Sequence, residues 1–106
     1  MTLTATLRRF VNLTDSRCAL VISENRKITY SIPSKTFGFR IQSGAPVDGN
    51  SFAVDFFNFG YLDEQMKSVR ANAWIRDSNL ERRVWIKEQS IAQRRYKSVL
   101  TLLWVE

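Results

Sequence analysis

Val69-Arg70-Ala71-Asn72-Ala73-Trp74-Ile75-Arg76 and Val84-Trp85-Ile86-Lys87-Glu88-Gln89 are the stretches whose reading decides how this chain folds. In the first, Val69, Ala71, Ala73 and Ile75 alternate strictly with Arg70, Asn72, Trp74 and Arg76. In the second, Val84 and Ile86 alternate with Arg83, Trp85 and Lys87. A period of two is the mark of a half-buried strand. A helical reading competes with it. Asp63 has the chemistry of an N-cap, Glu64 suits a first turn and Arg76 a last turn, and Leu62, Met66, Val69 and Ala73 share one helical face. Ser78-Asn79-Leu80-Glu81 has the form of a capping box. We read the alternation as a hairpin turning around residues 77–81, preceded at most by a short helix near 63–67.

The same periodicity extends outward. Leu3-Ala5-Leu7 alternates with Thr2-Thr4-Thr6 and predicts a strand. Residues 18–23 predict another, and Glu24-Asn25-Arg26-Lys27 a turn. Ile28-Thr29-Tyr30-Ser31-Ile32 then completes a hairpin, broken by Pro33-Ser34. Residues 36–42 read as a strand. Residues 43–50, with Gly44, Pro46, Asp48 and Gly49, read as a loop. Residues 52–59 read as an aromatic-rich strand ending at Gly60, and residues 96–105 as the last strand. The expected fold is mainly β: a single antiparallel β-barrel or sandwich of six to eight strands, with at most one or two short helices, in one domain over residues 1–106.

Composition narrows the chemistry. The 106 residues are 44% hydrophobic, enough for a core. The longest apolar run, at residues 99–105, is too short to cross a membrane. The N-terminus lacks the pattern of a secretory signal. With one cysteine an internal disulfide is excluded, and Cys18 lies in an apolar setting that favours a buried, inert thiol. These features point to the cytoplasm, or to a virion made there. With no histidine the chain has no Ser–His or Cys–His pair and no imidazole ligand for a metal. Asp48, Asp55, Asp63 and Glu64 show no catalytic spacing and read as a solvated acidic face. No enzyme activity and no cofactor are expected. The net charge is +6, with seven basic and two acidic side chains in residues 1–45, four acidic and no basic in 46–66, and nine basic and three acidic in 67–97. Such a chain attracts polyanions.

Lys35-Thr36-Phe37-Gly38-Phe39-Arg40-Ile41 resembles the RNP1 signature of cold-shock (OB-type) and RNA-recognition domains, and Ala53-Val54-Asp55-Phe56 loosely echoes a second cold-shock strand. Thr36 stands where that family has glycine, Arg40 where it has an aliphatic residue, and only Tyr30 represents its upstream aromatic pair. The resemblance implies that Phe37 and Phe39 stack successive bases while Lys35 meets a phosphate. The alternative is that Phe37, Phe39 and Ile41 form an ordinary core-facing stripe.

The hairpin has its own consequence. Val69, Ala71, Ala73, Ile75, Val84 and Ile86 would face the core. Arg70, Asn72, Trp74, Arg76, Arg83, Trp85, Lys87 and Gln89 would face out. Matching the faces requires an odd pairing sum, and one such register sets Trp74 opposite Trp85. Two tryptophans among four cations would make a stacking surface; the alternative is a second packing layer or a subunit contact. Arg94-Arg95-Tyr96-Lys97 is a further basic–aromatic cluster, best read as a solvated strand start. The last strand is apolar on both faces, so it is either central or covered by a partner, with Leu100, Leu102 and Trp104 the candidate self-association residues. The expected function is non-catalytic binding of single-stranded nucleic acid, RNA rather than DNA, by a homodimer or larger homo-oligomer. Stacking falls to Phe37, Phe39, Trp74 and Trp85; phosphate contacts fall to Lys35, Arg40, Arg70, Arg76, Arg83 and Lys87. The alternatives are a self-assembling structural subunit, such as a small viral coat protein, and a protein-binding inhibitor or adaptor.

Overall fold

A computed structural model describes residues 2–75 and 84–105; the expected turn at 77–81 lies outside them. Five strands form one antiparallel sheet: β1 (Cys18–Glu24), β2 (Lys27–Pro33), β3 (Lys67–Arg70), β4 (Trp85–Gln93) and β5 (Ser98–Val105), in the order β2-β1-β5-β4-β3. The protein is therefore mainly β and antiparallel. Among the described residues its layers are one sheet with a helix on one face and a long segment carrying one short helix on the other, not two sheets or a closed barrel. No helix among the described residues is long and apolar enough to cross a membrane.

The β1–β2 hairpin turns through Asn25 and Arg26, both at positive φ (51° and 66°), as a two-residue turn of the primed type requires. Arg26 is held there by donating to Asn58 Oδ1 and, at 2.9 Å, to the carbonyl of Phe57. A bulge between Ile22 and Ser23 shifts the register from Ile22↔Tyr30 to Ser23↔Ile28. It therefore sends Ile28 to one face of the sheet and Tyr30 and Ile32 to the other.

Residues 3–13 form helix α1 (Leu3–Leu13), not the expected strand. The two-residue alternation covers only the first few residues, whereas Leu3, Leu7, Phe10 and Val11 keep helical spacing along the whole segment. Thr2 caps the helix, its Oγ1 accepting from Ala5 N at 3.1 Å. The aromatic segment 52–59 is likewise helical from Val54 to Phe59 (α2), and Gly60 ends it at φ +81°, its N–H donating to Phe56 O. Residues 36–42 form no strand. Their backbone is tied to side chains instead: Arg17 donates from Nε to Thr36 O and from Nη2 to Phe37 O, both at 3.1 Å. Gly38, at φ +76°, breaks the alternation between the two phenylalanines.

Two hydrophobic clusters flank the sheet. On one face Ala19, Val21, Val69, Ile86, Val99 and Leu103 pack beneath Phe37, Val47, Ala53, Leu62 and Trp74. On the other, Cys18, Leu20, Ile22, Leu100 and Leu102 pack beneath Val11 and Leu7 of α1. Burial pushes the Cys18 thiol up, against a hydrogen bond with Ser34. A helix about 10 Å across covers roughly two strands spaced about 4.8 Å apart. Helix α1 lies over β1 and β2 and reaches Trp104 of β5 through Phe10, with ring centroids 5.7 Å apart. The same face of β4 and β3 extends beyond it, and there the register sets Trp85 beside Arg70 and Lys87 beside Ser68.

Candidate nucleic-acid interface

Trp85 opens β4, and the odd pairing sum expected for the hairpin is met, with Arg70 rather than Trp74 as its partner. Trp85 is 48% exposed. The Arg70 guanidinium carbon sits 4.8 Å from the centre of its ring, close enough for a cation–π contact. Lys87, two residues along β4 and therefore on the same face, donates from Nζ to Ser68 Oγ at 2.7 Å. An aromatic ring and two cations thus share one patch of sheet that α1 leaves uncovered.

Beneath this patch, on the opposite face of β4, lies a carboxylate. Glu88 is 1% exposed. Its Oε1 accepts from Trp74 Nε1 at 2.7 Å and Phe52 N at 3.3 Å; its Oε2 accepts from Ala53 N and Ser90 Oγ, each at 2.9 Å. Ser90 Oγ continues to Thr101 Oγ1 at 2.8 Å. All four donors to Glu88 are neutral, and among the described residues no cation pairs with it. Burial pushes its pKa up while the four donors pull it down. Sealed from solvent, Glu88 is a structural anchor: it holds the backbone just before α2 and the indole of Trp74 to the sheet. The sequence signal for it was its register, since Glu88 and Ser90 continue the core-facing series begun by Val84 and Ile86.

The expected site residues do not all come together. Phe37 and Trp74 are 0% and 1% exposed and cannot stack a base. Phe37 turns inward because Gly38 separates it from Phe39. Trp74 does so because residues 71–73 form a 3-10 turn, in which positions i and i+3 coincide and Trp74 follows buried Ala71 inward. Phe39 is half-buried at the rim, edge-on to Phe37 at 5.8 Å, with Arg17 5.0 Å from its ring centre. Lys35 is ion-paired with Asp15 at 2.8 Å, an exposed contact that holds the Asp15 carboxyl below its usual range. Arg40 is exposed on the same loop, away from β4 in sequence and outside any strand. Arg76 and Arg83 lie outside the described residues. Arg70, Trp85 and Lys87 remain as one cluster.

The self-association residues are accounted for within one chain. Strand β5 is central, paired on both edges by β1 and β4, so it offers no edge to a second copy. Leu100 and Leu102 are buried beneath α1. Trp104 packs on Phe10.

The acidic segment is dispersed into separate local roles. Asp48 Oδ1 accepts from Asn50 N, Asp63 pairs with Lys67 at 3.0 Å, and Glu64 Oε2 accepts from Ala92 N at 2.9 Å. Glu64 thereby covers part of the β4 edge that short β3 does not reach. Among the described residues no cluster of acidic, cysteine or histidine side chains could hold a metal ion. No protein-family profile matches the chain, and a search of curated proteins finds no significant match.

Proposed function

We propose that the protein binds single-stranded nucleic acid, without catalysis, on the β3–β4 face that α1 leaves open. The observation that supports this reading is the exposed Trp85 ring carrying the Arg70 guanidinium beside Lys87. An exposed tryptophan is costly in water. A base offers it a π-face, and the neighbouring cations meet the phosphates on either side. Single strands suit such a patch better than duplex, because only an unpaired base can leave its stack to lie on a side chain. The +6 charge supplies long-range attraction.

The test is a titration of a labelled oligonucleotide at several salt concentrations. Trp85→Ala is expected to lose about 1–3 kcal/mol of affinity. Arg70→Ala and Lys87→Ala are each expected to lower the log–log salt slope by about 0.7. Absence of binding by the wild type at low salt would sink the proposal.

One observation favours self-association as a second reading. The flank of α1 beside the open sheet face exposes Leu3 (43%) and Phe10 (41%). Light scattering on the purified protein, with the 260/280 nm absorbance ratio recorded, separates the two readings. Co-purified nucleic acid on a small species supports the binder; a large, nucleic-acid-free particle supports the subunit.

A further inference from the structure

Strand β4 has cations and an exposed aromatic ring at each end. Trp85, with Arg70 and Lys87, stands at its start. The loop that follows its last residue is Arg94-Arg95-Tyr96-Lys97. All four side chains are exposed, Tyr96 to 68%. The loop backbone is held from within. Arg94 donates to Gly60 O at 2.7 Å, Lys97 N donates to Arg94 O at 3.3 Å, and Ser98 Oγ donates to Gln93 Oε1 at 3.0 Å. Lys97 is kept at φ +52°, in the left-handed region. Among the described residues the side chains of Arg95, Tyr96 and Lys97 make no hydrogen bond or ion pair. A fixed backbone that presents unengaged cations and a ring is suited to meeting an outside group.

The two ends belong to one face. The register of β4 runs without a shift from Trp85 to Gln93, so Lys87, Gln89, Ile91 and Gln93 repeat on the side of Trp85. Tyr96 lines a recess with Gln93 and Ser98 on that side. Between the ends the strip is neutral at Gln89 and Ile91, and Glu64 beside it is turned to Ala92 N. Attraction for a polyanion is therefore concentrated at the two ends. We infer that a single strand lies lengthwise along β4, held at one end by the Trp85 patch and at the other by Arg95, Tyr96 and Lys97. The inference rests on the proposed binding of single strands and adds a second contact and a site size to it. The nine residues of β4 make eight steps of about 3.4 Å, or about 27 Å, and Tyr96 lies beyond the last. A stacked strand advances about 3.4 Å per nucleotide, so about nine nucleotides reach across. Joining two weak contacts through one chain raises affinity without any new contact, provided that the chain is long enough to span them.

The experiment titrates fluorescent oligouridylates of four and twelve nucleotides with the wild type, Tyr96→Ala and Arg95→Ala. Both residues are exposed, so thermal unfolding should be unchanged and each protein can be assayed folded. A tetranucleotide is too short to touch both ends of β4, whereas a dodecanucleotide spans them. Tyr96→Ala is expected to weaken binding of the dodecanucleotide about tenfold and to leave that of the tetranucleotide unchanged. Arg95→Ala is expected to lower the log–log salt slope by about 0.7 for the dodecanucleotide alone. Undiminished binding of the dodecanucleotide by Tyr96→Ala, or a loss that is equal at both lengths, overturns the span and leaves the Trp85 reading standing. Failure of the wild type to bind the dodecanucleotide at low salt overturns both.

Discussion

Glu88→Gln separates what the Glu88 charge contributes from what its shape contributes. Glutamine keeps the volume and one acceptor oxygen but replaces the other with an NH2. If the NH2 takes the place of Oε1, it faces Phe52 N–H and the Trp74 indole N–H, neither of which can reverse. If it takes the place of Oε2, it faces Ala53 N–H and Ser90 Oγ, and the serine hydroxyl can turn to accept. The second orientation is the better one. It orphans a single buried N–H, worth about 1–3 kcal/mol. Against this, the wild type must hold an unpaired charge in the core wherever Glu88 is ionised, which the variant does not. Burial raises the Glu88 pKa above its ordinary value near 4.5. Between that value and the raised native one, the folded state holds more protons than the unfolded state, so stability falls as pH rises through the window. The glutamine variant has no such term. Its deficit relative to wild type should therefore be largest near pH 4.5 and shrink as pH climbs through the native value. Asp15 and Asp63 do not blur the comparison. Their pKa values are lowered, so their linkage lies below about 3.8, and both are present in each protein. Urea unfolding of the two proteins at half-unit pH steps from 4 to 8 measures the difference. A deficit that is constant across the range, or that grows with pH, would refute the reasoning.

Phe37→Ala is expected to destabilise by about 3–5 kcal/mol, because the ring is wholly buried, whereas Trp85→Ala should cost under 1 kcal/mol; chemical denaturation of both reads the contrast. Leu102→Lys places an ammonium under α1 in a central strand, so loss of the folded circular-dichroism spectrum is expected, and a folded monomer would contradict the placement of β5.

What could be read from the sequence was parity, and what could not was the place where parity stops. Val69, Arg70, Trp85 and Ile86 pair with the faces the alternation implies, because a strand of any length fixes which side each residue takes. The 3-10 turn at 71–73 ends that rule, and its cause lies at a distance: a buried carboxylate fourteen residues on from Trp74 waits for the indole N–H. The same carboxylate explains the misread aromatic run. Glu88 holds the N–H groups of Phe52 and Ala53 at the entrance of α2, and Gly60 closes the other end, so a stretch with strand composition becomes a short helix. At Phe37-Gly38-Phe39 the two rings share a face only if the backbone stays extended. Gly38 leaves that region, and Arg17 takes up the carbonyls that a neighbouring strand would have used. Helix α1 was legible in the spacing of Leu3, Leu7, Phe10 and Val11. It was obscured by threonines whose period of two ran across the same residues.

The Glu88 anchor also couples the core to the proposed interface, and that coupling can be isolated. Two walls flank Trp85, one carrying Asn50 and Phe52 and the other the 3-10 turn at residues 71–73, and both end in backbone or indole donors to this one side chain. A variant that loosens it should let the walls drift even while the protein remains folded, and a site needs its groups held to within about 0.5 Å. Glu88→Gln at a temperature well below its midpoint is therefore expected to bind a single-stranded oligonucleotide more weakly, although residue 88 is buried beneath the binding face. Loss of stability alone must be excluded as the cause. Phe37→Ala is the control, since Phe37 packs in the same core cluster but neither flanks Trp85 nor bonds to those walls. It should lose more stability than Glu88→Gln and less affinity. If the two variants lose affinity in proportion to stability, the walls do not depend on Glu88 in particular, and the carboxylate is only another member of the core.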